Sequence, residues 1–458
     1  MHYKWVILPT DFLLFLLLGI FGIFFLWART QSHWRIPWQQ IINRPLAVVA
    51  MTICASYLTV ALLDSIHLQF RLPNQPGQTQ IHYSPRIVSV LDELIKPIGA
   101  NDEKTYAAPF ASRLFTKETI ETSSGKVEQV YLPLNYPNKI LQASGRSKTR
   151  DITIRIISGL SRGVGIWLLL LTILVIYCRV NEYNLLHKSM IAFYLTLLII
   201  IVSISVALSL GKAYHIIGTD KVGGDIFYAA IKSIRTGLII GLVTSFVMLP
   251  FAILLGIMAG FFGGFVDDVI QYIYTTLSSI PGVLLIAASI LSLQIYIANH
   301  PQLFTNIASR ADARLLALCI ILGITSWTSL CRLLRAETLK LREMEYIQAA
   351  KVLGVSRRKI LFRHILPNVL HIIIITVALD FSGLVLAEAV LSYVGVGVDP
   401  TTYSWGNMIN SARLELARDP VVWWPLLSAF FFMFLLVLSA NIFADALRDA
   451  FDPRLRQR

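Results

Sequence analysis

The sequence predicts an all-α polytopic membrane protein of about nine transmembrane helices carrying a small extracytoplasmic insert domain. Three observations predict it. Of the 458 residues, 55% are hydrophobic and 15% charged, where a soluble domain carries about 25% charged residues, and mean hydropathy is +0.65. The apolar residues gather into runs close to the ~20 residues that a helix needs to cross a bilayer. Base is concentrated in one polar stretch: residues 332–364 hold nine Lys/Arg and three Asp/Glu, the mark of a cytoplasmic loop. The net charge of +13 therefore points to basic loops at a membrane, not to nucleic acid.

The first apolar run is 6–27, interrupted by Pro9, Thr10 and Asp11. It is longer than the apolar part of a signal peptide, and no small-x-small cleavage site follows, so a retained helix is expected. Residues 28–45 carry Arg29, Arg35 and Arg44 without an acid, with Trp27, Trp34 and Trp38 suited to the interface. The second span is 46–66. Residues 67–163 change character, with turn pairs at Pro73-Asn74, Pro76-Gly77, Ser124-Gly125 and Tyr136-Pro137-Asn138, a short helix at 88–95 and a strand at 127–132. This length suits a small insert domain for docking or shielding. It holds no catalytic cluster, and His67 and His82 read as lone surface histidines.

Spans three and four, 164–180 and 189–210, form a hairpin through the short connection 181–188. An amphipathic helix is expected at 226–235. Span five, 236–262, carries Gly241, Gly256 and Gly260, small residues that let helices approach closely. A Gly263-Gly264 turn and Asp267-Asp268 follow. Span six, 269–293, is broken at Ser278-Ser279-Ile280-Pro281-Gly282, and backbone freed at such depth is tolerated inside protein or beside a watery cavity. A simple packing kink is the plainer alternative. Span seven is 315–330. Span eight, 368–391, holds Asp380 and Glu388, and carboxylates inside a membrane are functional candidates by default. Span nine is 421–443. The four cysteines, Cys54, Cys178, Cys319 and Cys331, lie in apolar runs without metal-ligand spacing. No catalytic or metal residues are assigned.

Within 342–368 the spacing is that of two short helices. Tyr346, Ala349, Ala350 and Leu353 share one helical face, and Gln348 and Lys351 another. Gly354 sits where the helix would stop, Ser356 could cap a second helix at Arg357, and Pro367 suits the first turn of the next span. Such a shape serves as a rigid handle for a soluble partner or as a basic segment resting on lipid. No Gly-x-x-x-x-Gly-Lys-Ser/Thr occurs, so ATP hydrolysis is not expected of this chain alone.

Gln348-Ala349-Ala350, Gly354 and Ile365-Leu366-Pro367 resemble the cytoplasmic coupling loop, or EAA loop, of ATP-binding cassette importer permeases, with Gln348 in place of Glu. Residues 218–225, with Gly218, Thr219, Asp220 and Asp225, resemble the signature that precedes the core spans of dipeptide, oligopeptide and nickel permeases. Gly224 stands where that family usually has Arg, so a charge pair is expected to be missing. Ala387-Glu388-Ala389-Val390-Leu391-Ser392, Ser404-Trp405-Gly406-Asn407-Met408 and the ending Leu447-Arg448-Asp449-Ala450-Phe451-Asp452-Pro453-Arg454 are similar to further family motifs, and 40–66 resembles its first span.

The resemblance implies a subdivision into two N-terminal helices (1–66), the insert (67–163), an additional hairpin (164–210) and a permease core (211–458) with its coupling loop at 332–367. It implies that Glu345, Tyr346, Gln348, Ala349, Ala350, Gly354 and Pro367 engage an ATPase, and that Gly218, Thr219, Asp220 and Asp225 lie near the outer mouth. Pro281, Asp380 and Glu388 are candidate pathway residues. The implied partners are a second permease subunit, two ATP-binding subunits that hold ATP and magnesium, an extracytoplasmic solute-binding protein and the lipid bilayer. This chain is expected to bind no cofactor itself. The implied setting is the bacterial inner membrane, with coupling loop and C-terminus cytoplasmic and the insert outside. Lys139, Arg146, Lys148, Arg150, Arg155 and Arg162 crowd the outer mouth of span three against the charge rule, from which long translocated segments often escape. The implied function is ATP-driven import of peptides, without catalysis by this chain. Three alternatives differ: a permease for nickel or another solute, a proton-coupled transporter using Asp380 and Glu388 as relays, and a membrane anchor whose insert does the work.

Overall fold

The computed structural model describes residues 3–30, 32–72, 83–84, 87–99, 102–121, 127–137, 139, 145, 147–180 and 187–451. The turn pairs at 73–77 and 124–125, His82, Asn138, Arg146, most of the 181–188 connection, the side chains of Trp34 and Cys178, and the ending beyond Phe451 lie outside the described residues. Among those described, nine helices are long and apolar enough to cross a membrane; eight of the expected spans fall on one each, while span six, expected at 269–293, is split, and the spanning helix there is Gly282–Asn299.

In chain order, strand β1 (Tyr3–Val6) precedes α1 (Pro9–Thr30), α2 (Ser32–Ile42) and α3 (Pro45–Ser65). Pro45 opens α3 after an extended Arg44, where its missing N–H loses nothing. The basic 28–45 stretch is largely helical, and Ile41 on it is fully buried. Strands β2 (His67–Phe70) and β3 (Val88–Ser89) pair antiparallel, with β1 on the far side of β2. Helix α4 (Val90–Gly99) follows, then the hairpin β4 (Glu118–Glu121) and β5 (Val127–Val130).

Helices α5 (Lys148–Val180) and α7 (Ile226–Phe262) run well past the apolar stretches that predict them, whereas α6 (Lys188–Gly211) matches its stretch to within one residue at each end. Hydropathy locates the part of a helix inside the hydrocarbon, whereas the helix itself persists into polar sequence. For the same reason the amphipathic helix and span five are one helix, α7. Helices α8 (Gly264–Ser279) and α9 (Gly282–Asn299) meet at a full break. Ile280 is extended, with φ −85° and ψ 131°, the conformation that the ring of a following proline favours by crowding the helical one. Helix α9 alone of this pair has the length and hydropathy of a span.

Next come α10 (Ile307–Arg342), α11 (Glu345–Val352), α12 (Arg357–Ile360), α13 (Leu366–Tyr393), α14 (Trp405–Glu415) and α15 (Trp424–Phe451).

The chain forms two compact units. The first comprises 1–6, 41–235 and 403–439. In it α6 packs on α5 and α3. Gly159 and Gly163 permit this closeness, since a Cβ there would lie 2.7 Å and 2.9 Å from the Cα atoms of Val206 and Val202. Leu91, Ile95 and Ile98 of α4 pack with Val60 and Leu63 of α3 and Leu208 of α6.

The second unit comprises 7–40, 236–402 and 440–458. Its core joins Met248 and Ala252 of α7, Trp327, Leu330 and Leu334 of α10, and Ile365 and Val369 around the start of α13. The amide and hydroxyl of Thr10 both donate to the buried Asp312 carboxylate, which fastens α1 to α10.

Candidate functional site

Helix α11 starts at an extended Met344 and places Glu345 in its first turn, where a carboxylate complements the helix dipole. Ile347 and Ala350 point into the core of the second unit, and Val355 packs against the same cluster. At the far end the amide of Gly354 donates to Lys351 O at 3.1 Å and that of Val355 to Ala350 O at 3.0 Å. Those two bonds form a Schellman cap, which needs a left-handed residue at the turn. Gly354, at φ +74°, supplies it.

The predicted face of α11 divides. Ala350 is turned inward while Tyr346, Ala349 and Leu353 remain exposed. Val352 and Leu353 are 87% and 81% exposed, so the last turn presents an apolar tip. Tyr346 is held from the side, its hydroxyl accepting from Asn368 Nδ2 at 3.1 Å. Gln348 Nε2 donates to Arg342 O at 2.9 Å, which ties α11 to the end of α10. The sequence pattern singled out Gln348 and Gly354 but not Ile347 or Val352. Burial of Ile347 depends on what lies beneath it, which periodicity alone does not specify.

The second short helix is not a separate element. Ser356 is extended, its side chain makes no cap bond, and α12 continues through a π-turn at Leu361–Ile365 into α13. Pro367 explains the widening. Its ring would clash with the carbonyl four residues back, and a π-turn, here with the Leu366 amide bonded to Leu361 O, accommodates it.

Beneath α11, Gly263 and Gly264 turn the chain at φ +67° and +53°, and α8 is fastened to α10. Arg335 grips Asp267 with two hydrogen bonds of 2.5 Å and 2.6 Å, and Gln271 adds a third at 3.1 Å. The Arg335 hydrogen bonds hold the Asp267 carboxyl below the usual carboxylate range. The Arg332 guanidinium lies 5.4 Å from the Tyr274 ring centroid.

In the first unit the four signature residues do come together. Asp225 caps α7 through Tyr228 N at 3.1 Å and meets His215 Nδ1 at 2.8 Å, both side chains being buried. Thr219 Oγ1 accepts from Ala107 N at 2.6 Å and donates to Thr105 O at 2.9 Å, while Trp424 Nε1 donates to Thr219 O at 3.0 Å. The loop is thus locked onto residues 105–107. Gly218 has to be glycine, since it stands at φ +83° with Ala107 O and the Trp424 ring against it. Asp220 Oδ1 accepts from Val222 N and Gly224 N, each at 2.9 Å, and burial pushes its carboxyl up. A Cβ on Gly224 would sit 3.4 Å from Asp220 Oδ2, so the missing Arg would start its side chain beside this carboxylate.

The three candidate pathway residues lie on different parts of the second unit's helices. Pro281 sits in the α8–α9 break. Glu388 is buried and accepts from Ser392 Oγ at 2.6 Å, one turn on. Asp380 is half-buried on α13, about 12 Å from Glu388 along the axis.

One charged cluster had no counterpart in the sequence reading. Lys232 of α7 lies 2.5 Å from Asp64 and 2.8 Å from Asp92. Ser89 Oγ donates to Asp64 at 2.6 Å and Tyr228 OH to Asp92 at 2.6 Å. Burial pushes the Asp92 carboxyl up, yet Lys232 beside it prevails and holds it low. The available signal was a lysine on the amphipathic stretch 226–235, but nothing local names its partners.

Long apolar helices, joined by a short capped helix that is packed inside and apolar outside, define a class: a polytopic membrane protein with an exposed apolar tip on a firmly rooted helix. The chain belongs to the family of binding-protein-dependent transport system inner membrane components, which matches residues 252–457, and so is a permease subunit of an ATP-binding cassette importer. It is 31% identical over 245 residues to the oligopeptide transport system permease protein of Haemophilus influenzae, covering 54% of this chain and 72% of the relative. The dipeptide transport system permease protein of Lactococcus lactis is 31% identical over 243 residues, 53% of this chain and 65% of the relative. The glutathione transport system permease protein of Pectobacterium atrosepticum is 32% identical over 243 residues, 53% of this chain and 73% of the relative.

Proposed function

We propose that this chain and a second permease subunit form the path by which peptides cross the inner membrane, driven by two ATP-binding subunits that dock on α11. The single observation that carries the docking is the outer face of α11. Its exposed Met344, Tyr346, Val352 and Leu353 are held at a fixed angle by the Gly354 cap and by Ile347 below. A partner gripping that face moves the core it is rooted in, and it favours one state only by binding the two states unequally. The basic stretch 332–364 supports a cytoplasmic position for this face. Counting spans from it supports a cytoplasmic C-terminus and an outer position for 67–163 and 218–225, where a solute-binding protein would deliver cargo. Peptides are the cargo that the names of the relatives support. ATP and magnesium belong to the partner subunits, and this chain has a transport role without catalysis. A proton-coupled mechanism would need linked carboxylates, whereas Glu388 is engaged by Ser392 and lies about two turns from Asp380.

The test is co-purification from membranes with candidate ATP-binding subunits, comparing wild type with Gly354→Asp and Leu353→Asp. Leu353→Asp changes only an exposed side chain, so the fold is retained. Wild type should bring down the ATPases and both variants should lose them. Equal recovery with all three forms refutes docking on α11.

A further inference from the structure

Helix α13 has a packed side and an open side. Leu384, Val385 and Glu388 are buried, the Phe381 ring occupies the space beside Gly241, and Ser382 Oγ bonds Asn441 Oδ1 at 2.7 Å. The opposite arc, formed at helical spacing by Leu379, Gly383, Leu386 and Val390, is exposed. Asp380 stands at the edge of this open arc. It is near the middle of a 28-residue helix, and an added Cβ at Gly383, one turn on, would meet nothing within 4 Å. Among the described residues no group hydrogen-bonds to Asp380 and no cation pairs with it.

A lone carboxylate at this depth cannot face acyl chains without a penalty of several kcal/mol. It has to face water, a countercharge, or a solute that brings one. The space beside Gly383 leaves room for an arriving group, and the packed half of α13 holds the carboxylate in place.

We propose that Asp380 is the cation contact of the solute pathway and receives the free α-ammonium group of the transported peptide. The inference rests on the peptide-permease reading above. The α-ammonium is the one cation that peptides share regardless of side chains, so a single carboxylate recognises the class without selecting sequence. A charge-assisted hydrogen bond away from bulk water is strong. Being one contact only, it still lets the solute go, as conduction requires.

The experiment uses the full transporter in proteoliposomes, with both permease subunits, the ATP-binding subunits and the solute-binding protein. Uptake of trialanine and N-acetyl-trialanine is measured for wild type, Asp380→Asn and Asp380→Glu. Comparing the ratio of KM values between forms removes any preference of the binding protein, which all three share. Asp380→Asn should shrink the wild-type preference for the free amine by about tenfold, the usual effect of losing one charged hydrogen bond, and Asp380→Glu should restore most of it. An unchanged ratio in Asp380→Asn overturns the proposal. So does failure of Asp380→Asn to purify with the second permease subunit when Asp380→Glu succeeds, which assigns the carboxylate to a subunit contact. If wild type carries neither peptide, the peptide reading itself falls and the proposal with it.

Discussion

Replacing Gly260 by alanine should destabilise the protein even though alanine is the better helix former. In a helix interior Gly→Ala contributes about 0.5–1 kcal/mol of stability when space is free. At Gly260 space is not free: a Cβ would lie 2.6 Å from Thr338 Cβ and 2.7 Å from Arg335 O. One turn earlier, a Cβ on Gly256 would lie 2.8 Å from Cys331 O and 2.9 Å from Leu334 Cβ. Backbone oxygens of α10 cannot rotate aside as a side chain can, so α7 and α10 would have to separate. Overpacking of this kind costs about 1–3 kcal/mol, which outweighs the helix gain and leaves a net loss of about 1–2 kcal/mol per site. Gly165 on α5 is the internal control, because nothing lies within 4 Å of its added Cβ. Thermal unfolding of the purified protein in detergent, followed by intrinsic fluorescence, should show Gly256→Ala and Gly260→Ala melting below wild type and Gly165→Ala at or above it. If all three melt together, close helix contact is not what these two glycines provide.

Three further outcomes are expected. Asp267→Asn should lower stability at neutral pH by ~1–3 kcal/mol, the range for charged hydrogen bonds. The folded carboxyl titrates below its unfolded value of about 3.9, so the Arg335 contribution is fully present above that pH and fades as pH falls through the folded value. The gap between wild type and Asp267→Asn, read from melting curves, should therefore close on acidification; a gap that widens contradicts the assignment. Lys232→Met should be severe, by ~3–5 kcal/mol, because it strands Asp64 and Asp92 without their cation; denaturation of Lys232→Met alongside Lys232→Met/Asp64→Asn/Asp92→Asn should show the triple variant recovering much of the loss, and no recovery refutes the triad. Ile347→Ala should loosen α11 from its core with a loss of ~2–5 kcal/mol, while Val352→Ala, on the exposed turn, should leave melting unchanged; similar losses at both positions would mean that the two sides of α11 have been misassigned.

Much of the protein was legible from one dimension. The length and spacing of apolar runs give the number of spans and the place of all but the sixth, because a bilayer imposes one thickness on every helix that crosses it. Gly354 and Gly263-Gly264 mark turns because left-handed backbone excludes most other residues. Ser279-Ile280-Pro281-Gly282 marks a break because the proline ring crowds helical backbone at Ile280 and the glycine beside it is a weak helix former. What the sequence left undecided depends on partners far along the chain. Periodicity puts Tyr346, Ala350 and Leu353 on one stripe, and only the core beneath α11 decides that Ile347 and Ala350 go in while Leu353 stays out. The two carboxylates that neutralise Lys232 come from α3 and α4, at sequence distances no local pattern encodes. Asp380 and Glu388 read alike as intramembrane acids. The tertiary structure separates them, giving Glu388 a buried position with Ser392 and leaving Asp380 half-buried at the edge of the open arc, because the rotation of α13 about its axis is set by what Phe381, Leu384 and Val385 pack against.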